Sequence, residues 1–217
     1  MSRFRHPALY VPALAFLLSG VLGSLTRLGL LAVAWQDTDH AMGSMLSVFA
    51  HGIVGDLLFS LALAGFFLVF TALTHTRWAN TRVFSGKRHL AVFALSALLL
   101  FIAISEFVFW NEFGARFNFV AVDYLIYTNE VLGNIRESYS LPAVIGGMCL
   151  GGGLLAFFIH RYWPVSPGPA YRVLPRLGLA LTGAALFYVV GGWSINYADK
   201  NTGNNQFNRE LSHNGPA

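Results

Sequence analysis

Residues 48–73 read VFAHGIVGDLLFSLALAGFFLVFTAL, an apolar run interrupted by a single histidine and a single aspartate. As an α-helix rising ~1.5 Å per residue this stretch reaches ~39 Å, more than the ~30 Å of hydrocarbon in a bilayer. A buried helix of a soluble domain needs no such length, so the stretch reads as a membrane span. Working outward, four more runs of this kind lie near residues 8–35, 90–110, 141–163 and 173–193. The expected fold class is therefore all-α, a polytopic membrane protein with five transmembrane helices. The first run is too long for a cleaved signal peptide and reads as a signal anchor.

Composition agrees. The 217 residues are 55% hydrophobic and only 11% charged, against about a quarter charged in soluble domains. A surface so poor in charge must face lipid over most of its area. The net charge of +4 does not indicate a nucleic-acid partner, because the basic residues form no single stripe. They gather in alternate turns. Arg3 and Arg5, then Arg77, Arg82, Lys87 and Arg88, then Arg161, Arg172 and Arg176 make nine of the 14 Lys and Arg, with no acidic residue among them. Cytoplasmic loops retain Lys and Arg, which predicts an N-in, C-out topology in a bacterial inner membrane. Trp35, Trp78, Trp110, Trp163 and Trp193 fall at or just beyond the C-terminal ends of the five runs, where Trp favours the headgroup level. The single cysteine, Cys149, excludes an intramolecular disulfide and a cysteine-rich metal site.

Three ionisable residues lie inside spans. Arg27 is eight residues before Trp35, and Asp56 is eight residues after Val48, so both sit roughly 12 Å below the outer surface. Glu106 is shallower. A charge in hydrocarbon costs at least ~2.5–3.5 kcal/mol, so such groups face the bundle interior and pair. An Arg27–Asp56 ion pair is expected, with His51 nearer the surface. It can serve either to join two helices or to form a polar pocket for a lipid headgroup.

The third loop predicts an amphipathic helix over residues 117–135. Phe117, Val120, Tyr124, Tyr127, Val131 and Ile135 recur at spacings of three and four, while Arg116, Asp123, Glu130 and Glu137 recur every seven. Such a helix either caps the bundle or lies at the membrane interface, with Arg116, Asp123, Glu130 and Arg136 toward lipid headgroups. The glycine-rich segment GGMCLGGG at residues 146–153 holds Gly147-xxx-Gly151, a spacing that lets helix backbones approach closely. His75, His89 and His160 fall near the inner boundary on three spans. Two facing each other could hold haem, but nothing in their spacing requires it, and interfacial histidine is the reading adopted. No nucleophile–base set and no metal site can be named. Beyond Trp193 the Asn-rich residues 194–217 read as a polar linker in which residues 207–214 begin to look helical.

The stretch EFVFWNEFGARFNFVAVDYLIYTNEVLGNIRESY at residues 106–139 resembles the long outer loop of lipoteichoic-acid-synthase-like proteins, and NRELSHNGP at residues 208–216 resembles the segment that leads to their outer domain. These are phosphoglycerol transferases of the sulfatase and alkaline phosphatase superfamily, with five N-terminal spans. The resemblance implies that this chain is the membrane anchor of such a transferase, residues 1–193 forming the transmembrane domain and residues 194–217 an extracytoplasmic linker cut before a catalytic domain. It implies phosphatidylglycerol as lipid partner. The threonine nucleophile and the divalent metal, often manganese, belong to the outer domain, so the chain is expected to hold no cofactor and to be inactive alone. Two other readings stay open: a small transporter or channel with Arg27, Asp56 and Glu106 as a relay, and a membrane subunit of an envelope complex.

Overall fold

The computed structural model describes residues 7–73, 82–116, 140–163, 173–193 and 205–213. All regular structure among them is helical. The long elements are α1 (Pro7–Val33), α2 (Met42–Leu73), α3 (Arg82–Phe113), α4 (Leu141–Tyr162) and α5 (Val173–Ala185), which continues through a π-helical turn at Leu186–Val190. A short helix, α6 (Gln206–Ser212), follows in the C-terminal segment.

The first four helices are each long and apolar enough to cross a membrane, and Leu177–Trp193 is a shorter apolar helix. Helices α2 and α3 begin well before the apolar runs at 48 and 90 do. Both have 32 residues, about 48 Å of helix, more than the ~30 Å of hydrocarbon in a bilayer. Hydropathy marks the apolar part of a helix and not the end of its hydrogen-bonded ladder. Many large apolar side chains are exposed on the outside of the bundle, among them Leu25, Phe70, Leu98, Leu150 and Phe157, an arrangement compatible with lipid around it.

Helix α2 is central, packed on α1 and on α5; α3 packs on α1 and on α4. The tightest approach joins α2 to α5. A Cβ placed on Gly65 would stand 2.7 Å from the Gly183 carbonyl oxygen, and one on Gly183 would stand 2.7 Å from the Gly65 carbonyl oxygen. Backbone cannot swing aside as a side chain can, so Gly65→Ala is expected to cost about 1–3 kcal/mol through overpacking. Thermal unfolding in detergent measures this, with Gly147→Ala as the near-neutral control. That control corrects an expectation. Among the described residues nothing lies within 4 Å of a Cβ on Gly147, whereas a Cβ on Gly151 would meet Leu100 at 3.1 Å and one on Gly152 would meet Ala97 at 3.1 Å. Gly147 and Gly151, four residues apart, share a face of α4, so the difference is one of level: α4 meets α3 at Gly151 and Gly152, and one turn earlier, at Gly147, no described residue comes close.

Two apolar clusters fill the bundle. Ala15, Leu95 and Leu99 form one at mid-height. The other, Leu30, Leu31, Ala34, Val48, Trp110 and Leu211, lies where the C-terminal end of α1, the first turns of α2 and the last turns of α3 meet. Trp110 differs from its expected headgroup position: it is 5% exposed because α6 covers it, with the Phe207 ring centroid 6.1 Å away. Trp35, Trp163 and Trp193 remain exposed at helix ends.

Candidate functional site: a buried clamp on the C-terminal helix

The end of the bundle where α1 finishes holds the polar residues that stood out in the spans. Arg27 is 1% exposed and Asp56 2% exposed. The Arg27 Nη2 donates to Asp56 Oδ1 at 2.8 Å and to the Gly52 carbonyl oxygen at 2.8 Å. Small residues make this possible. A Cβ on Gly52 would collide with the Arg27 guanidinium, and one on Gly23 would lie 3.2 Å from the Asp56 carboxylate. Ser19 and Ser60 extend the polar seam between α1 and α2, their hydroxyls 2.9 Å apart.

Glu106 forms a second buried pair, with Arg116. The Arg116 Nε donates to Glu106 Oε2 at 2.6 Å, and its Nη2 lies 2.6 Å from the same oxygen. Arg116 follows α3 by three residues and returns to it because Gly114 takes a positive φ of 62°. The Gly114 N–H closes the helix on the Trp110 carbonyl at 2.8 Å, a left-handed cap that suits glycine. Arg116 was expected with the interfacial helix of the third loop; at 1% exposed it is instead a core residue of this cluster. Asp123, Glu130 and Arg136, with the amphipathic helix expected at 117–135, lie outside the described residues. His51 turns toward its own helix, its Nδ1 2.9 Å from the Ser47 carbonyl oxygen.

The two arginines converge on α6. The Arg27 Nη1 donates to the Leu211 carbonyl oxygen and, at 3.0 Å, to that of His213. The Arg116 Nη1 donates to the His213 carbonyl oxygen at 2.6 Å, and its backbone N–H to Glu210 Oε2 at 3.2 Å. Cations therefore satisfy the C-terminal carbonyls of α6, where the helix dipole is negative. The other end of α6 is fastened too. Asn205 caps it, accepting from the Asn208 N–H at 3.0 Å, while its Nδ2 donates to the Asp37 carbonyl at 3.0 Å. Asn208 and Asp39 exchange two bonds: the Asp39 N–H donates to Asn208 Oδ1 at 2.9 Å, and Asn208 Nδ2 donates to the Asp39 carbonyl at 3.0 Å. Asp39 itself shapes the loop before α2. The Ser44 hydroxyl and the Ala41 N–H both donate to its carboxylate, and these bonds hold its pKa below the ordinary carboxylate value. Between the two sets of polar bonds, Leu211 and Phe207 insert into the apolar cluster around Trp110.

Two positive and two negative side chains thus neutralise one another while the arginine donors left over grip backbone carbonyls of α6. Chemically this is a clamp. It offers no nucleophile with a paired base, and no group of three or more metal-ligating side chains occurs among the described residues. Sequence reasoning singled out Arg27, Asp56 and Glu106 through their depth in apolar runs. It missed Asn205, Asn208 and Leu211, although Asn205 three residues before Asn208 is a helix-cap spacing. The residues 205–213, read as part of a linker, are packed against the bundle. No family model, no curated protein and no solved structure matches this chain.

Proposed function

We propose that this chain is the membrane anchor of a lipoteichoic-acid-synthase-like phosphoglycerol transferase. In this reading it crosses a bacterial inner membrane five times, with its N-terminus inside, and the clamp end lies at the outer leaflet. The observation that carries the proposal is the seizure of α6 by Arg27 and Arg116. An anchor that only tethers an enzyme needs a loose linker; one that orients it must grip the segment leaving the bundle. The resemblance of residues 106–139 and 208–216 to such transferases falls on that gripping machinery, since it includes Glu106, Arg116, Glu210 and Leu211. A rigid exit segment confines an attached outer domain to the lipid surface, which replaces a three-dimensional search for phosphatidylglycerol by a local one. The threonine and divalent metal of the chemistry belong to that outer domain.

The experiment tags the chromosomal N-terminus, blots membranes, and assays them for glycerol phosphate transfer from labelled phosphatidylglycerol. A band well above the 23.8 kDa of this chain, with transfer that falls several-fold on Arg116→Ala while the band persists, is the expected result. A native band at 23.8 kDa in membranes without transfer contradicts the proposal.

A further inference from the structure

At the end of the bundle away from the clamp, Tyr10 of α1, residues 88–93 of α3 and residues 153–160 of α4 enclose an open groove of about 480 Å³. Its length is apolar: Leu90, Val92, Phe93, Ala156 and Phe157 form the walls, and Gly153 leaves space before Phe93, whose ring is 4.0 Å from where a Cβ would be. Its rim is polar and basic. His89 and His160 stand edge to face with ring centroids 4.0 Å apart, and His89 Nε2 is 2.9 Å from His160 Nδ1. Arg88 joins them, and Tyr10 donates its hydroxyl to the Trp163 carbonyl at 3.0 Å, holding α1 against the end of α4. Among the described residues no carboxylate lines the groove.

We infer that this groove binds one anionic phospholipid of the adjacent leaflet, an acyl chain lying between Phe93 and Phe157 and the phosphate at Arg88, His89 and His160. Each component answers a part of that ligand. The volume lies within the ~300–1,000 Å³ of small-molecule sites. Basic pockets between transmembrane helices recognise phosphate headgroups, and the apolar channel runs from this one along the helices where acyl chains lie. His89 Nε2 lies 2.9 Å from His160 Nδ1 and 3.1 Å from its Nε2 with the rings edge to face, a contact that does not use the in-plane N–H of His160, which can meet an acceptor such as a phosphate oxygen. A metal ion is less well served, because two histidines supply half of a tetrahedral shell and no third ligand stands beside them among the described residues. The site is distinct from the clamp and does not depend on the transferase reading.

The test titrates the delipidated full chain in detergent with dioleoyl phosphatidylglycerol or dioleoyl phosphatidylcholine and counts bound lipids by native mass spectrometry. The expected result is one phosphatidylglycerol bound roughly tenfold more tightly than phosphatidylcholine, with the preference reduced to roughly twofold or less in Arg88→Gln and in His89→Ala/His160→Ala. Gly153→Leu, which fills the channel, is expected to weaken both lipids; an unchanged melting temperature in the half-exposed Arg88 and His89 variants separates loss of binding from loss of fold. Free glycerol phosphate should not compete at millimolar concentration. Equal affinity for the two lipids, retention of the preference in both rim variants, or full competition by glycerol phosphate would each overturn the inference, the last by making the rim a site for a water-borne anion.

Discussion

Replacing Arg27 by alanine is expected to destabilise the bundle by about 3–5 kcal/mol, the usual cost of leaving one partner of a buried ion pair behind. The loss has two parts. Asp56, 2% exposed, loses its cation and must either stay charged alone or take up a proton, and the Leu211 and His213 carbonyls lose a charged donor. Arg27→Ala/Asp56→Ala should then cost clearly less than the sum of the single changes, because the double variant buries no lone charge. Thermal unfolding in detergent of the two single variants and the double variant measures the coupling, and additive losses would show that the pair does not act as a unit. Arg27→Lys is no rescue. A lysine ammonium is a point charge with three donors, whereas Arg27 spreads bonds over Asp56, Gly52, Leu211 and His213 from two separate nitrogens.

Leu211→Ala is the second large effect. Leu211 is fully buried among Leu30, Val48 and Trp110, and truncation leaves a cavity that costs about 2–5 kcal/mol. Here the loss should appear as undocking of α6 before the bundle itself unfolds. A seven-residue helix is far below the length that is stable alone in water, so once detached it has nothing to hold it. Limited proteolysis should cut near residues 205–213 in Leu211→Ala at protease concentrations that leave the parent intact. Leu211→Met, which conserves volume, should cost under ~1.5 kcal/mol and resist cleavage. Equal cleavage of all three proteins would remove the packing role assigned to Leu211.

The parts of the fold that could be read from the sequence were those whose signal is local. Long apolar runs locate α1 to α4, because an apolar helix of that length carries few polar interruptions. Arg27, Asp56 and Glu106 stood out for the same reason, as charges where charge is costly. What could not be read depends on contacts far apart in the chain. Arg116 continues the sevenfold spacing of Asp123, Glu130 and Glu137, which drew it into the loop helix; the left-handed Gly114 sends it back onto Glu106 instead. The docking of α6 rests on backbone carbonyls of Asp37 and Asp39, some 170 residues away, and an Asn-rich segment shows no apolar period that would announce a buried face. Only Phe207 and Leu211, four residues apart, carry that face, too few for a pattern. Trp110 reads as an interfacial ring until the helix that covers it is in view.

The gripping of α6 by Arg27 and Arg116 is open to a direct check by amide hydrogen exchange of the full chain in detergent. Because α6 is too short to protect its own amides, any slow exchange at residues 208–213 must come from docking. Slow exchange is expected there in the parent protein and rapid exchange in Arg27→Ala and Leu211→Ala, with α2 and α3 remaining slow in all three. Exchange of residues 208–213 at free-peptide rates in the parent would contradict the grip.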